Sequence, residues 1–226
     1  MSILSFDIGI KNLCYCELAS DKKILDWKII NISNDVPCDH LLKTGKPCCK
    51  PATFIYNQNL DKTDIYLCTS HSKHKSYSKV KKFKNPKNNL FYIGQNLVDK
   101  MDELNLCKRK LESVIVENQP SLKNPTMKSI QMMVYSYFLI NGVCNKDSTI
   151  EKLEMINARN KLKVYKGPEI KCDIKETYKR NKWLAVKYCG NMIVDEKKEF
   201  MELFESSKKK DDLSDSYLQG IYFLSL

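Results

Sequence analysis

Four acidic side chains stand where a carboxylate is costly to bury or is paired along a helix. Asp7 closes an apolar run that opens at Ser2, and Gly9 follows it. Glu117 closes a second apolar run, Leu111 to Glu117. Asp212 and Asp215 are three residues apart near the chain's end and share one face of a helix. Each alone reads as a cap, a hydrogen-bonded strand end or a surface charge. Gathered together they would repel and raise one another's pKa values unless cations lay between them. All-oxygen donors suit hard divalent ions, Mg²⁺ or Mn²⁺. Two such ions about 4 Å apart activate a water and stabilise the leaving oxygen of a phosphodiester. On a basic chain, such a quartet of acids points to hydrolytic chemistry on a nucleic-acid backbone, with Asp7 as the central ligand and Gly9 leaving room beside it.

A second constellation lies between Asn34 and Asn89, where hydrophobic periodicity is lost. This stretch contains Cys38, Cys48, Cys49 and Cys68 and every histidine of the chain, His40, His71 and His74. Cys68 and His71 form a C-x-x-H pair that can close one side of a tetrahedral zinc site. Cys38 and Cys48 are the first choice for the other side, with His40, Cys49 and His74 as substitutes. A short irregular segment needs a staple, and structural zinc supplies one. The remaining six cysteines are scattered and read as small core residues.

The elements that must position the acids are legible in outline. Ile3 to Leu18 reads as strand, turn, strand, and Ile24 to Ile32 as a third strand, together an antiparallel meander. Asn89 to Lys110 and Asn124 to Ile140 carry helical spacing, the second opened by Asn124 as N-cap and Pro125 at the first helical position. Glu151 to Asn157 reads as strand and Ala158 to Asp173 as loop. Lys175 to Cys189 and Lys197 to Phe204 read as helices. A last helix is capped by Asp211 or Asp212. The expectation is one 1–226 domain carrying an inserted segment, 34–89.

With 38 Lys+Arg against 27 Asp+Glu the chain is formally +11, which suits a polyanionic partner. From Ile65 to Val98 there is no acid, and Lys79, Lys81, Lys82 and Lys84 interleave with Tyr77 and Phe83. That pattern fits a strap on a nucleic-acid backbone. Lys11, beside the first acid, and Lys209 and Lys210, before the acid helix, are further candidates for phosphate contact. No apolar run reaches membrane-span length, and Met1 leads directly into strand-like sequence without a secretory leader, so an intracellular protein is expected. A sugar-kinase or actin-like ATPase also opens on a D-x-G strand, but it requires a second glycine-rich phosphate loop; none is present, and no nucleotide cofactor is expected.

Four motifs in order carry a resemblance: Leu4 to Asn12 (LSFDIGIKN), Val114 to Pro120 (VIVENQP), Met127 to Met133 (MKSIQMM) and Lys209 to Ser216 (KKDDLSDS). They are similar to those of the poxvirus and large-DNA-virus Holliday junction resolvases, relatives of bacterial RuvC and the yeast mitochondrial resolvase. Ala158 to Leu162 and Tyr178 to Val186 resemble the family as well. The resemblance implies an α/β ribonuclease H-like fold: a mixed sheet, antiparallel over its first three strands and then parallel, flanked by helices. It implies a homodimer that nicks four-way DNA junctions with Mg²⁺, the metal held by Asp7, Glu117, Asp212 and Asp215, and a working place in an infected cell. Asp211 has no counterpart in that pattern, and bacterial RuvC lacks the small irregular Cys/His insertion. A nuclease of other branched or hybrid nucleic acids, and a non-catalytic junction-binding protein, are the alternatives.

Overall fold

The computed structural model describes residues 1–57, 63–122 and 124–226; residues 58–62 of the inserted segment and residue 123 lie outside it. The chain forms two compact units, Met1–Ile32 with Gly94–Leu226, and Ser33–Ile93.

The larger unit is built on a five-stranded sheet in the order β3-β2-β1-β7-β8. β1 (Ser2–Asp7), β2 (Leu13–Ala19) and β3 (Ile24–Ile30) are antiparallel neighbours. β7 (Leu111–Glu117) runs parallel to β1, and β8 (Lys152–Ile156) parallel to β7. β1 is buried along both faces and β7 nearly so, the pattern of strands covered on both sides. The turn between β1 and β2 requires glycine at position 9: a Cβ there would sit 2.5 Å from the Asn12 carbonyl oxygen. Gly9 thus serves the turn, and the space beside it is taken by backbone.

Alternation sorts the sheet's side chains. Ile3, Cys14, Cys16, Ile115 and Trp27 join a buried cluster with α3 (Thr177–Met192), α4 (Lys198–Ser206) and α5 (Lys210–Phe223). Of the side chains that alternate with these, Phe6 packs on Tyr15 and on Phe138 of α2 (Pro125–Phe138), with ring centroids 5.8 and 5.5 Å apart. Leu97 and Met101 of α1 (Leu90–Glu103) are buried as well. Asp7 and Glu117 share the parity of Ile3 and Ile115, so both face the α5 side at the same ends of two parallel strands.

Several boundaries differ from the sequence reading. α1 stops at Glu103 because Asn105 takes the left-handed conformation (φ 51°) that ends helices. Ala158–Val164 forms 3₁₀ turns within the expected loop. α5 begins at Lys210, which places Asp211 and Asp212 in its first turn, beside the positive end of the helix dipole. Cys14, Cys16 and Cys189 are buried as small core residues, whereas Cys144, beyond a π turn after α2, is exposed.

The second unit is less irregular than its composition implies. β4 (Phe54–Asn57), β5 (Asp64–Leu67) and β6 (Lys81–Lys82) pair antiparallel in the order β5-β4-β6. Cys38, Leu67 and Cys68 form its buried centre.

One ionic network ties β2, β3 and the entry to β7. Arg109 Nη1 lies 2.6 Å from Glu17 Oε2 and 2.9 Å from Asp26 Oδ2. Ser2 donates to Glu17 at 2.8 Å and Tyr15 to Asp26 at 2.6 Å. Burial raises the Asp26 carboxyl, but hydrogen bonds from Tyr15 and Arg109 outweigh it and leave the pKa below its ordinary 3.8. Asp26 therefore stabilises the fold above its ordinary pKa, and that stabilisation is lost as pH falls through the depressed folded value. Arg109→Met is expected to cost about 2 kcal/mol at pH 7 in urea unfolding, less than for a fully buried pair. The deficit should narrow on acidification below pH 4, because wild type then loses the same pair.

Candidate active site and metal centre

The C-terminal helix is set against the sheet by small and polar residues. A Cβ on Gly220 would meet Leu18 Cδ1 at 2.6 Å and Ser5 Cβ at 3.1 Å, so glycine lets α5 approach β1 and β2 closely. Gln219 Nε2 donates to Ser5 Oγ and to the Phe6 carbonyl, both at 3.3 Å. Trp27 Nε1 donates to Ser216 Oγ at 3.1 Å, and Cys14 Sγ lies 3.2 Å from the same hydroxyl. These contacts fix the rotation and height of α5, and with them Asp212 and Asp215.

Asp7, Glu117, Asp212 and Asp215 line one cavity of about 450 Å³. Burial first, then the neighbouring Glu117 and Asp215 carboxyls, raise Asp7 well above its ordinary value. Burial pushes Asp215 up to about 6, with Lys161 opposing and Glu117 adding. Burial and then Asp211 raise Asp212, with Lys209 and Lys182 opposing. Asp212 Oδ2 and Asp215 Oδ1 are buried without a hydrogen-bond donor. The ammonium of Lys209, 3.9 Å from Asp212 Oδ2, is too far to supply one. Four crowded carboxyls, three of them (Asp7, Asp212 and Asp215) forced toward protonation, with lone pairs left unused, form a donor set that fits hard divalent cations.

The cavity also contains residues that motif reading did not single out. Lys161, from the 3₁₀ turns after β8, places Nζ 2.6 Å from Asp215 Oδ2 and is 15% exposed. Burial disfavours its charge, but Asp215 and Glu117 outweigh that and raise its pKa. Gln119 Nε2 donates to Glu117 Oε2 at 2.8 Å and fixes that carboxylate. Lys182, on α3, donates to Asp211 at 2.8 Å, so Asp211 is a lysine's partner and not a helix cap. Arg159 and Asn181 complete a polar rim. The signal available in the sequence was the stretch Ala158 to Leu162, which contains both Arg159 and Lys161.

The candidate lysines have separate fates. Lys11 is exposed in the β1–β2 turn and does not line the cavity. Lys209 precedes α5, and Lys210 Nζ sits 5.6 Å above the Phe204 ring. Lys79, Lys81, Lys82 and Lys84 are exposed residues of the second unit.

In that unit, bridges Pro37↔Pro51 and Leu41↔Pro47 fold residues 37–51 back on themselves and bring Cys48 beside Cys38. The 3₁₀ turn at His71–Lys73 brings His71 back to Cys68. The ligand atoms of Cys38, Cys48, Cys68 and His71 all lie within 4.8 Å of one another. His71 Nδ1 is 3.5 Å from both Cys38 Sγ and Cys68 Sγ. Burial opposes ionisation of Cys68, but the His71 and Ser70 amides aim at its sulfur and its pKa falls below 9.0. A cluster of three thiols and one imidazole with amides directed at sulfur could hold a metal such as zinc. His40 stacks on His71, with ring centroids 4.0 Å apart, and shares a 3.0 Å hydrogen bond with Tyr77; it and His74 are outside the four-residue cluster.

With this geometry in hand, comparison with known proteins places the fold. The chain superposes on the yeast mitochondrial Holliday junction resolvase Ydc2 with a TM-score of 0.52 at 15% identity, covering 98% of this chain and 78% of that one. The chain has the Holliday junction resolvase fold. The fowlpox virus Holliday junction resolvase superposes more loosely, with a TM-score of 0.44 at 15% identity over 100% of this chain and 98% of that one. In sequence, an uncharacterized protein of Acanthamoeba polyphaga mimivirus is 34% identical over 95% of this chain. The chain spans 60% of that relative's length. No protein-family profile matches. Among the described residues, no helix is long and apolar enough to cross a membrane.

On this resolvase fold the cavity's shape depends on how closely α5 approaches the sheet. Gly220→Leu is expected to destabilise by about 2–3 kcal/mol through overpacking against Leu18 and Ser5, despite leucine's better helix propensity. Thermal unfolding followed by circular dichroism would read the loss; an unchanged midpoint would mean that the helix does not depend on close approach.

Proposed function

We propose that this chain is a divalent-metal-dependent endonuclease that resolves four-way DNA junctions. The observation that carries the reading is the cavity in which Asp7, Glu117, Asp212 and Asp215 converge with two carboxylate oxygens lacking donors. The likeness of the fold to the yeast resolvase supports junction DNA as the substrate. In this reading the four carboxylates hold Mg²⁺ or Mn²⁺, two per site, which when bound supply a hydroxide nucleophile and stabilise the leaving oxygen.

The chain's own residues do the rest. Lys161, held by Asp215 at 2.6 Å, presents a charged ammonium to the scissile phosphate. Gln119 holds Glu117 in one orientation. Arg159 and Lys182 at the rim, with Lys209 and Lys210 before α5, attract the flanking phosphates.

One cavity serves one strand, so symmetric nicking of a two-fold junction calls for a homodimer. An apolar exposed run at the end of α2 supports one: Met132, Leu139, Ile140 and Val143 are 38–65% exposed. In the 34–89 insertion, Cys38, Cys48, Cys68 and His71 hold a structural Zn²⁺, and Lys79, Lys81, Lys82 and Lys84 grip the DNA backbone. The mimivirus relative supports a working place in a virus-infected cell.

Cleavage of a synthetic four-way junction in Mg²⁺ tests the reading. Glu117→Gln is expected to slow nicking by at least about 100-fold and Lys161→Met by about 100-fold. Both should still bind the junction in a gel-shift assay. Equal nicking by wild type and Glu117→Gln would overturn the assignment. Elemental analysis should find one zinc per chain that survives dialysis, and Cys68→Ser should lose it; a zinc-free wild-type protein would remove the staple from the reading.

A further inference from the structure

The second unit holds a cleft of which the reading above uses only the two lysines. It measures about 380 Å³ and is lined by Thr53, Phe54, Thr69, Lys82, Phe83 and Lys84. Sheet pairing builds it. Phe54 lies opposite Lys82 across β4 and β6, and the Phe83 amide donates to the Thr53 carbonyl at 2.8 Å. Phe54 rests on the unit's buried centre. Phe83 is braced edge-to-face by Tyr66, at 4.9 Å between centroids and 66° between planes. Thr53 and Thr69 place their hydroxyl oxygens 3.0 Å apart at one wall. Lys82 and Lys84 are exposed and, among the described residues, neither has an acidic partner.

Rigid rings, hydroxyls that donate and accept, and two ammoniums make up the chemistry that recognises a nucleotide: a flat base with polar edges flanked by phosphates. Charge distinguishes a strand from a free nucleotide. Residues 33–93 contain eleven lysines and four aspartates, +7 of the chain's +11, while the larger unit carries the remaining +4. Two lysines suffice for one nucleotide; a surplus spread over the whole unit suits a polyanion that runs past the cleft. Stacking requires an exposed π-face, which duplex bases lack.

We infer that this cleft takes one unpaired base of a single-stranded DNA segment against Phe54 and Phe83, with Lys82 and Lys84 on the adjoining phosphates. The inference rests on the nuclease reading for its choice of DNA. It assigns to the inserted unit the recognition of unpaired nucleotides, such as those at a branch.

The test uses the full chain, in buffer without added divalent ions, and a twelve-nucleotide single strand carrying one 2-aminopurine. Wild type should quench the fluorescent base on binding. Phe83→Leu should weaken binding by about 10-fold and lose the quench. Phe83→Tyr should keep both. The Lys82→Ala, Lys84→Ala double variant should keep the quench at saturation and lower the salt slope by about 1.4. Zinc content and circular dichroism report whether each variant folds, and the lysine double variant decides if Phe83→Leu does not. An unchanged quench in Phe83→Leu, an unchanged salt slope in the lysine variant, or displacement of the strand equally well by duplex or by free dAMP would overturn the inference. Junction nicking separates the two readings. A junction left uncut by wild type with the quench intact sinks the nuclease assignment alone. Normal nicking with an unchanged quench in Phe83→Leu sinks the cleft alone.

Discussion

Everything in the larger unit answers to one electrostatic problem: four carboxyls held in a space with too few donors. β1 and β7 deliver Asp7 and Glu117 side by side because parallel neighbours end together. α5 brings Asp212 and Asp215 across them because Gly220 removes a side chain and Gln219 grips β1. The resulting repulsion is offset in part by the largely buried ammonium of Lys161. A fold does not place four acids this way for stability alone, since apolar residues of similar volume would pack at lower cost. The arrangement is understandable as a seat for cations, whose charge removes the repulsion and whose coordination uses the lone pairs left over.

The second unit solves a different problem with different means. Its strands are four, four and two residues long, too short to bury a large core. Three thiols and an imidazole at its centre take the place that a full apolar core has in the larger unit. Such a centre leaves the aromatic rings and lysines of its periphery available for contact. The two units thus differ in charge as well as in architecture: the nearly balanced unit contains the buried acids, and the strongly basic one sets half-buried rings beside exposed lysines.

How much of this was readable in the sequence depended on how far each signal stood from its surroundings. An acid at the end of an apolar strand is conspicuous because burial is costly, so Asp7 and Glu117 stood out. Asp212 and Asp215 stood out by helical spacing. Lys161 did not, because a lysine in a stretch without periodicity is indistinguishable from a solvated one; only its tertiary neighbour, Asp215, reveals it. The small sheet was missed because strands of two to four residues leave no alternation to detect. Gly9 was noticed for the wrong reason: its constraint is the Asn12 carbonyl across the turn, a contact that spacing alone does not reveal.

The position of the second unit has a consequence for how the larger one assembles. Pairing β1 with β7 closes a loop from Asp7 to Leu111, and the 61 residues from Ser33 to Ile93 make up most of it. The two ends of that insertion meet within the larger unit, where Asn96 donates to the Ile32 carbonyl at 3.3 Å. A second unit that folds first, around its own thiol centre, therefore shortens the chain still to be closed from about 104 to about 43 residues. On a logarithmic loop-closure law that saves roughly 0.8 kcal/mol of chain entropy in the step that creates the central sheet. An insertion that folded first would act, in kinetic terms, less like an interruption of the sheet than like a clasp that brings its two halves within reach.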